Sequence, residues 1–320
     1  MSLPQPAPRR TWWPFVAGAV VLLVIAVVAA FAVLRDDASA TTEPTSSDVV
    51  LADGVTAGGE LVGQSRALAD ALSGRGMECS ARFTGADGGQ AGCFTFRAAD
   101  QFVFEVVFQH QPDGTVIGLN VKVEGPKRME TGPALRDLVG IVARVVFPAD
   151  QAELTTTFRT SVGGALSFSW GDFEIVGIGP RGSLSASKAG STPIKVPVLR
   201  LDTPEADLAD GLRADGFSCT GDNQSCQGKP GLRVQMMGPD TGITYLVVGG
   251  PTQQAFGDLH AKVFGHLRGD ATEPLRRWLA EHLDGRSHLA YVAGWRVELR
   301  VLRGKPELTV RNEEVWQVPE

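Results

Sequence analysis

An internal repeat constrains the fold of this 320-residue chain more than any other feature of its sequence. The pattern Leu-Ala-Asp-x-Leu-x-x-x-Gly-x-x-Cys begins at Leu68 and again at Leu208, so every matched position is offset by 140 residues. A second cysteine follows each copy, at Cys93 and at Cys226. A gapless match of this kind indicates a duplicated module, and the chain is long enough for two domains.

Each copy is predicted to open with a helix, because two leucines lie four residues apart on one helix face and a glycine suited to a helix end follows them. Alternating apolar residues then predict a strand hairpin, which is followed by two helices and a closing strand pair. The predicted helix pairs are 133–147 with 150–160 and 252–267 with 272–283. This order favours an α+β fold of two tandem homologous modules, each an antiparallel sheet with helices packed on one face.

The segment Phe15 to Leu34 contains twenty residues without a charged side chain. At about 1.5 Å per residue, a helix of this length crosses the roughly 30 Å hydrocarbon core of a membrane. Two arginines precede it and two aspartates follow, so the positive-inside rule predicts a cytoplasmic N-terminus and an extracytoplasmic C-terminal part. The alternative is a signal peptide cleaved after Ala40, since Ala38-Ser39-Ala40 has the spacing of a cleavage site. The length of the apolar run favours the uncleaved anchor.

Repeat and anchor together divide the chain into a series of predicted segments. They are a cytoplasmic tail (1–14), a transmembrane helix (15–34), a flexible stalk (35–60), module 1 (61–187), a linker (188–200) and module 2 (201–320). A content of 43% hydrophobic and 21% charged residues is ordinary for folded domains. Arginine far outnumbers lysine, and alanine, glycine and valine are abundant, which is typical of bacteria with GC-rich genomes. The predicted location is therefore the membrane of a bacterial cell envelope.

All four cysteines follow the apolar segment, in the compartment where disulfides persist. We expect Cys79 to pair with Cys93 and Cys219 with Cys226, because the end of the same repeated helix supplies the first cysteine of each pair. Zinc binding by these cysteines is disfavoured, since no C-x-x-C occurs and the two pairs belong to separate modules.

The net charge of the extracytoplasmic part argues against nucleic acid as a partner. Three of the 30 basic residues lie at the apolar segment, which leaves 27 basic against 36 acidic residues beyond it. A general nucleic-acid binder needs an excess of basic residues to neutralise phosphates.

A local basic patch is nevertheless predicted in module 2. Residues 262–311 contain ten basic and six acidic residues, whereas residues 201–261 contain three and eight. Strand alternation places Arg296, Arg300 and Arg311 on the sheet face opposite the aliphatic residues. This face is either ordinary solvated surface or a docking site for an acidic partner, such as an anionic envelope polymer, lipid head groups or an acidic protein.

Motifs that suggest catalysis lack the context they need. The G-x-G-x-x-G at 177–182 precedes a predicted strand and not a helix, and the S-x-x-K at 185–188 has none of its companion motifs. His282 and His288, like His260 and His266, are separated by five residues, which is not the i, i+4 spacing of zinc ligands on a helix. The sequence therefore predicts no catalytic residue, metal site or cofactor.

These features predict a non-catalytic, membrane-tethered, extracytoplasmic tandem-domain protein that binds or scaffolds an envelope component or another membrane protein. One alternative is an envelope hydrolase whose site is assembled from residues distant in sequence. Another is a structural spacer without a binding site.

Overall fold

A computed structural model describes residues 49–51, 55–126, 130–160, 163–176, 179–222, 224–229 and 231–313. The described residues belong to one compact unit, Ser46–Glu320. The predicted cytoplasmic tail, the predicted transmembrane segment and the first part of the predicted stalk lie outside the described residues. Among those that are described, no helix combines the length and the apolar character needed to span a membrane.

The described part of the chain is α+β, with two antiparallel sheets and six helices. The strands of the first sheet are β1 (Thr56–Ala57), β2 (Glu78–Gly85), β3 (Gly88–Arg97), β4 (Phe102–His110), β5 (Val116–Glu124), β6 (Gly164–Ser167), β7 (Gly171–Val176) and β8 (Arg181–Lys188). Their spatial order is β1-β2-β3-β4-β5-β8-β7-β6. The helices of this module are α1 (Gly63–Ser73), α2 (Gly132–Val146) and α3 (Gln151–Thr160).

The second sheet contains seven strands in the described residues. They are β9 (Ser218–Cys219), β10 (Ser225–Gly228), β11 (Leu232–Met237), β12 (Tyr245–Gly249), β13 (His288–Val292), β14 (Trp295–Leu302) and β15 (Lys305–Arg311). Their spatial order is β13-β14-β15-β12-β11-β10-β9. The helices are α4 (Glu205–Ala214), α5 (Gln253–His266) and α6 (Thr272–Glu281).

The two sheets have the same topology once the extra edge strand β1 is set aside. Reading β2 to β8 in the first sheet and β9 to β15 in the second gives one strand order. The register is also shared, because Ile175 pairs with Leu184 on β7 and β8 as Leu299 pairs with Leu308 on β14 and β15, at a constant offset of 124 residues. The predicted repeat is confirmed.

Each module has a core between its sheet and its helices. The repeated leucines Leu68 and Leu72 on α1, and Leu208 and Leu212 on α4, are completely buried. Burying a leucine side chain stabilises the fold by about 1.5–3 kcal/mol. The buried leucines therefore hold the repeated helix against the equivalent face of each sheet. Contacts place α2 against β5 and β8, and α5 against β11, β12 and β15.

The segments that contain the cysteines form strands that the sequence pattern did not predict. Cys79 on β2 stands opposite Cys93 on β3, and Cys219 on β9 stands opposite Cys226 on β10. Glycines and small residues at 85–92 conceal the alternation that marks a half-buried strand. The antiparallel ladder, and not a loop, therefore brings each cysteine pair together.

The end of the segment predicted as a flexible stalk also differs from expectation. Residues 56–57 form β1, which pairs with β2, and Leu51 and Ala57 are buried. They are buried because they join the apolar core of module 2 beside Phe83. Residues 189–200, within the predicted linker, form no helix or strand, yet Gln109 holds this segment by two 2.8 Å hydrogen bonds to the backbone of Ile194.

Candidate functional site

The two sheets pack against each other through the faces that their helices leave free. Strand alternation sends Val297 and Leu299 of β14 into the core of module 2 and turns Arg296 toward module 1. On β4, Val106 points into the core of module 1, whereas Glu105 points toward module 2. The described fold is thus layered as helices, sheet, sheet and helices, and the candidate site lies between the sheets.

One half of this interface is apolar. Phe94, Val103 and Val107 of the first sheet form a cluster with Leu289 and Tyr291 of β13, and all five are buried. The rings of Phe94 and Tyr291 meet edge to face, with centroids 5.3 Å apart. This cluster fixes the distance between the sheets and excludes water from one side of the charged groups described next.

A buried ion pair joins the sheets beside the apolar cluster. The Arg296 guanidinium donates to both carboxylate oxygens of Glu105 at 2.6 and 2.7 Å, and to Glu313 at 3.0 Å. Only 4% of the Arg296 side chain and 14% of the Glu105 side chain are exposed. Burial opposes the charge of each group, but the opposite charge outweighs it, so the pKa of Glu105 is lowered and that of Arg296 is raised. Both groups therefore stay ionised at neutral pH.

A second buried arginine, Arg82 of β2, ties module 1 to the end of module 2. It donates to the carbonyl oxygens of Gly294 and Glu313 at 3.0 and 2.8 Å. The guanidinium also lies 5.7 Å from the ring centroid of Tyr291, whose hydroxyl donates to Glu313 at 2.6 Å. Burial lowers the pKa of Arg82, and burial together with the charge of Glu313 raises the pKa of Tyr291. With these pKa shifts, Arg82 remains charged and Tyr291 remains neutral at neutral pH.

The other half of the interface opens into a charged cavity of about 270 Å³. Its lining contains five cationic side chains against three carboxylates; the lining residues are Val103, Glu105, Lys122, Glu124, Arg181, Arg296, Glu298, Arg300 and Arg311. Glu313 also reaches Arg296 and Arg311, at 3.0 and 3.8 Å, so cations still outnumber acids when it is included. We call this space the charged cleft.

Arg300 forms an ion pair with Glu298 in the charged cleft and lies near three other arginines. Burial and the positive charges of Arg296, Arg311 and Arg181 lower its pKa, against the charge of Glu124. Within the described residues, the buried Nε atoms of Arg296 and Arg311 have no hydrogen-bond partner. An anionic group entering the charged cleft would relieve the repulsion among these cations.

The structure places the three predicted patch residues together but not equally exposed. Arg296 is buried, and the acidic group that it meets is Glu105 of the same chain. Arg300 and Arg311 retain 40% of their side-chain exposure. Docking of an outside acidic partner therefore stays a prediction. It would rest on Arg300 and Arg311, which are half-exposed although each already has an acidic partner, Glu298 and Glu313.

The four predicted disulfide residues pair as expected. Cys79 is bonded to Cys93 and Cys219 to Cys226. The Sγ atoms of Cys79 and Cys219 lie 3.5 and 3.6 Å from the carbonyl oxygens of Ala69 and Ala209, which are equivalent in the repeat. Each disulfide joins two adjacent strands of its sheet beside the repeated helix and lies outside the charged cleft.

The sequence prediction missed the half of the charged cleft that module 1 supplies. Glu105, Glu124 and Arg181 lie on strands of the first sheet, and no sequence motif indicates that they share a site. One signal was available: residues 102–108 read Phe-Val-Phe-Glu-Val-Val-Phe, an almost continuous apolar run. Such a run indicates a strand buried on both faces, which predicts that something covers the face opposite the helices.

Comparison with known proteins gives no family for this chain. No protein-family model, curated protein or solved structure matches it. Its function is therefore inferred from its own residues and their geometry.

Proposed function

We propose that this chain is a non-catalytic, membrane-tethered, extracytoplasmic binding protein of the bacterial cell envelope. Its charged cleft would capture an anionic group carried by an envelope component, with phosphate and carboxylate as the matching chemistries. The excess of cationic side chains over carboxylates in the lining of the charged cleft is the observation that carries this proposal.

Two further observations support the proposed location. The apolar segment 15–34 and its flanking charges have the pattern of a single-pass anchor with a cytoplasmic N-terminus. Both cysteine pairs are bonded, and disulfides of this kind persist in oxidising compartments outside the cytoplasm.

The chemistry of the charged cleft favours binding over acid–base catalysis. Because Arg296 lowers the pKa of Glu105, this carboxylate is a poor proton donor at neutral pH. Arginine and lysine side chains recognise anions by charge and hydrogen bonds, and the planar guanidinium suits carboxylate and phosphate oxygens. The hydrolase alternative stays a prediction.

Binding of fluorescently labelled poly-L-glutamate by the purified full-length chain in detergent tests the proposal. The variant R300S/R311S removes the two half-exposed cations of module 2, and we expect at least about fivefold weaker binding at about 0.01 M salt. The matched control is R276S/R277S, which removes the same charge from α6, away from the charged cleft. Equal binding by both variants would contradict the proposal.

A further inference from the structure

Metal-ligating side chains from both modules converge at a second place between the sheets. Glu78 lies on β2, His282 follows the end of α6, and His288 begins β13. Each offers one ligand atom, and these atoms lie within 4.8 Å of one another. Nδ1 of His288 is 3.7 Å from a carboxylate oxygen of Glu78. No residue of this group lines the charged cleft.

The surroundings of His282 leave one ring nitrogen available to a metal. Its Nδ1 lies 2.7 Å from the carbonyl oxygen of Trp278, and because a carbonyl only accepts, Nδ1 carries the hydrogen. Nε2 then has a free lone pair. The Trp278 ring stacks on the imidazole with centroids 4.4 Å apart and planes 21° apart, which holds the ring in place.

His288 is oriented by a second carboxylate. Its Nε2 lies 2.9 Å from Oδ1 of Asp284, so Nε2 donates to Asp284 and Nδ1 faces Glu78. The backbone N–H of Arg286 donates to the same Asp284 oxygen at 2.8 Å and fixes the turn. Zinc-binding histidines commonly donate their other ring N–H to a carboxylate or a backbone carbonyl. His288 has the carboxylate arrangement and His282 has the backbone carbonyl arrangement.

The ligand set is specific in its chemistry. Two imidazole nitrogens and one carboxylate oxygen suit zinc and related transition metals, whereas calcium and magnesium prefer oxygen ligands. Tetrahedral zinc ligands lie about 3.3 Å apart, given zinc–ligand bonds of about 2.0–2.1 Å. The Glu78 side chain is 57% exposed and can swing inward to close the wider distances.

Space for a further ligand adjoins the cluster. A cavity of about 320 Å³ is lined by Glu78 and His288, together with apolar side chains that include Phe94, Phe96 and Leu289. Zinc sites with three protein ligands keep a fourth position for water or another ligand, and this cavity provides room for it.

We propose that Glu78, His282 and His288 bind one zinc-type divalent transition-metal ion that bridges the two modules. Module 1 supplies the carboxylate and module 2 supplies both imidazoles. The inference is independent of anion capture, because it uses a different cavity and none of the arginines of the charged cleft.

Titration of the full-length chain in detergent, stripped with EDTA, tests this proposal. Zn²⁺ is followed by calorimetry and Co²⁺ by its visible d–d absorption. We expect one saturable site per chain and d–d bands of a low-coordinate ion with imidazole ligands. D284N should weaken binding by about 10–100-fold, and H282A and E78Q should weaken it further, because they remove ligands themselves. Circular dichroism is the control for folding: E78Q changes an exposed side chain and should remain folded.

The matched control is H266Q. His266 also lies 3.0 Å from a carboxylate, that of Asp215, but it is not part of a three-ligand cluster among the described residues. Its loss should leave metal affinity unchanged. Absence of saturable Zn²⁺ binding at micromolar concentration, or equal loss in H266Q and H282A, would overturn the site. Full Zn²⁺ affinity in E78Q would overturn the bridge between modules.

Discussion

Glu105 and Arg296, 191 residues apart in the chain, form a bidentate ion pair that joins the two sheets. The pair is surrounded by the apolar cluster on one side and the charged cleft on the other. It couples the two copies of the repeat, because each buries a charge that a residue of the other copy helps to compensate.

Removing one partner of this pair should be costly. We expect E105A to lower the free energy of unfolding by about 3 kcal/mol, since it leaves the Arg296 charge buried with only Glu313 for compensation. The control is E60A, which breaks the exposed Glu60–Arg66 pair and should cost less than about 1 kcal/mol. Urea denaturation measures both, and equal effects would show that the buried pair does not stabilise the interface.

The same pair predicts how stability depends on pH. The pKa of Glu105 is lowered in the folded state: burial raises it, but the Arg296 charge more than offsets this. The stabilisation is therefore complete above the unfolded pKa of about 4.3 and is lost as pH falls through the lower, folded-state pKa. The stability difference between wild type and E105Q should be constant near neutral pH and shrink below about pH 4. A difference that persists unchanged to pH 2 would contradict this assignment.

The disulfides should contribute unequally. Loop-closure entropy gives about 3 kcal/mol for the 15-residue loop of Cys79–Cys93 and about 2.5 kcal/mol for the 8-residue loop of Cys219–Cys226. We expect C79S/C93S to destabilise the chain slightly more than C219S/C226S in chemical denaturation. Mass spectrometry of non-reduced peptides checks the pairing, and a link between modules would contradict it.

The repeat was predictable because its signals are local. Leu68 and Leu208 begin the same helix pattern, and the residues of the closing strands match between the modules at one constant offset. These matches predict the same fold for both modules. The strands around Cys79 and Cys93 were not found, since glycines and small residues hide their alternation.

The interface between modules was not predictable from periodicity. Alternation on β14 places Arg296 opposite the aliphatic face, but the sequence does not say whether solvent or another sheet covers it. The distance between His282 and His288 was not predictable for a related reason. His282 lies at the end of a helix and His288 on the next strand, so a turn, and not one helix face, determines their distance.

Arg82 offers a separate test of the contact between modules. We expect R82M to cost about 2–4 kcal/mol, because the carbonyls of Gly294 and Glu313 lose their buried donors. R82K should restore little of the lost stability, because one ammonium group cannot reach the several acceptors that the planar guanidinium group reaches. The control is R75M, a change at an exposed arginine. Thermal unfolding that treats R82M and R75M alike would refute this role.

The most direct test of the central claim is whether both modules contribute to anion capture across the charged cleft. Arg181 belongs to module 1 and Arg300 to module 2, and both line the charged cleft. Binding of labelled poly-L-glutamate at about 0.01 M salt should weaken in R181S, in R300S and most in R181S/R300S, and these differences should vanish near 1 M salt. Unchanged binding in both single variants at low salt would contradict capture in the charged cleft.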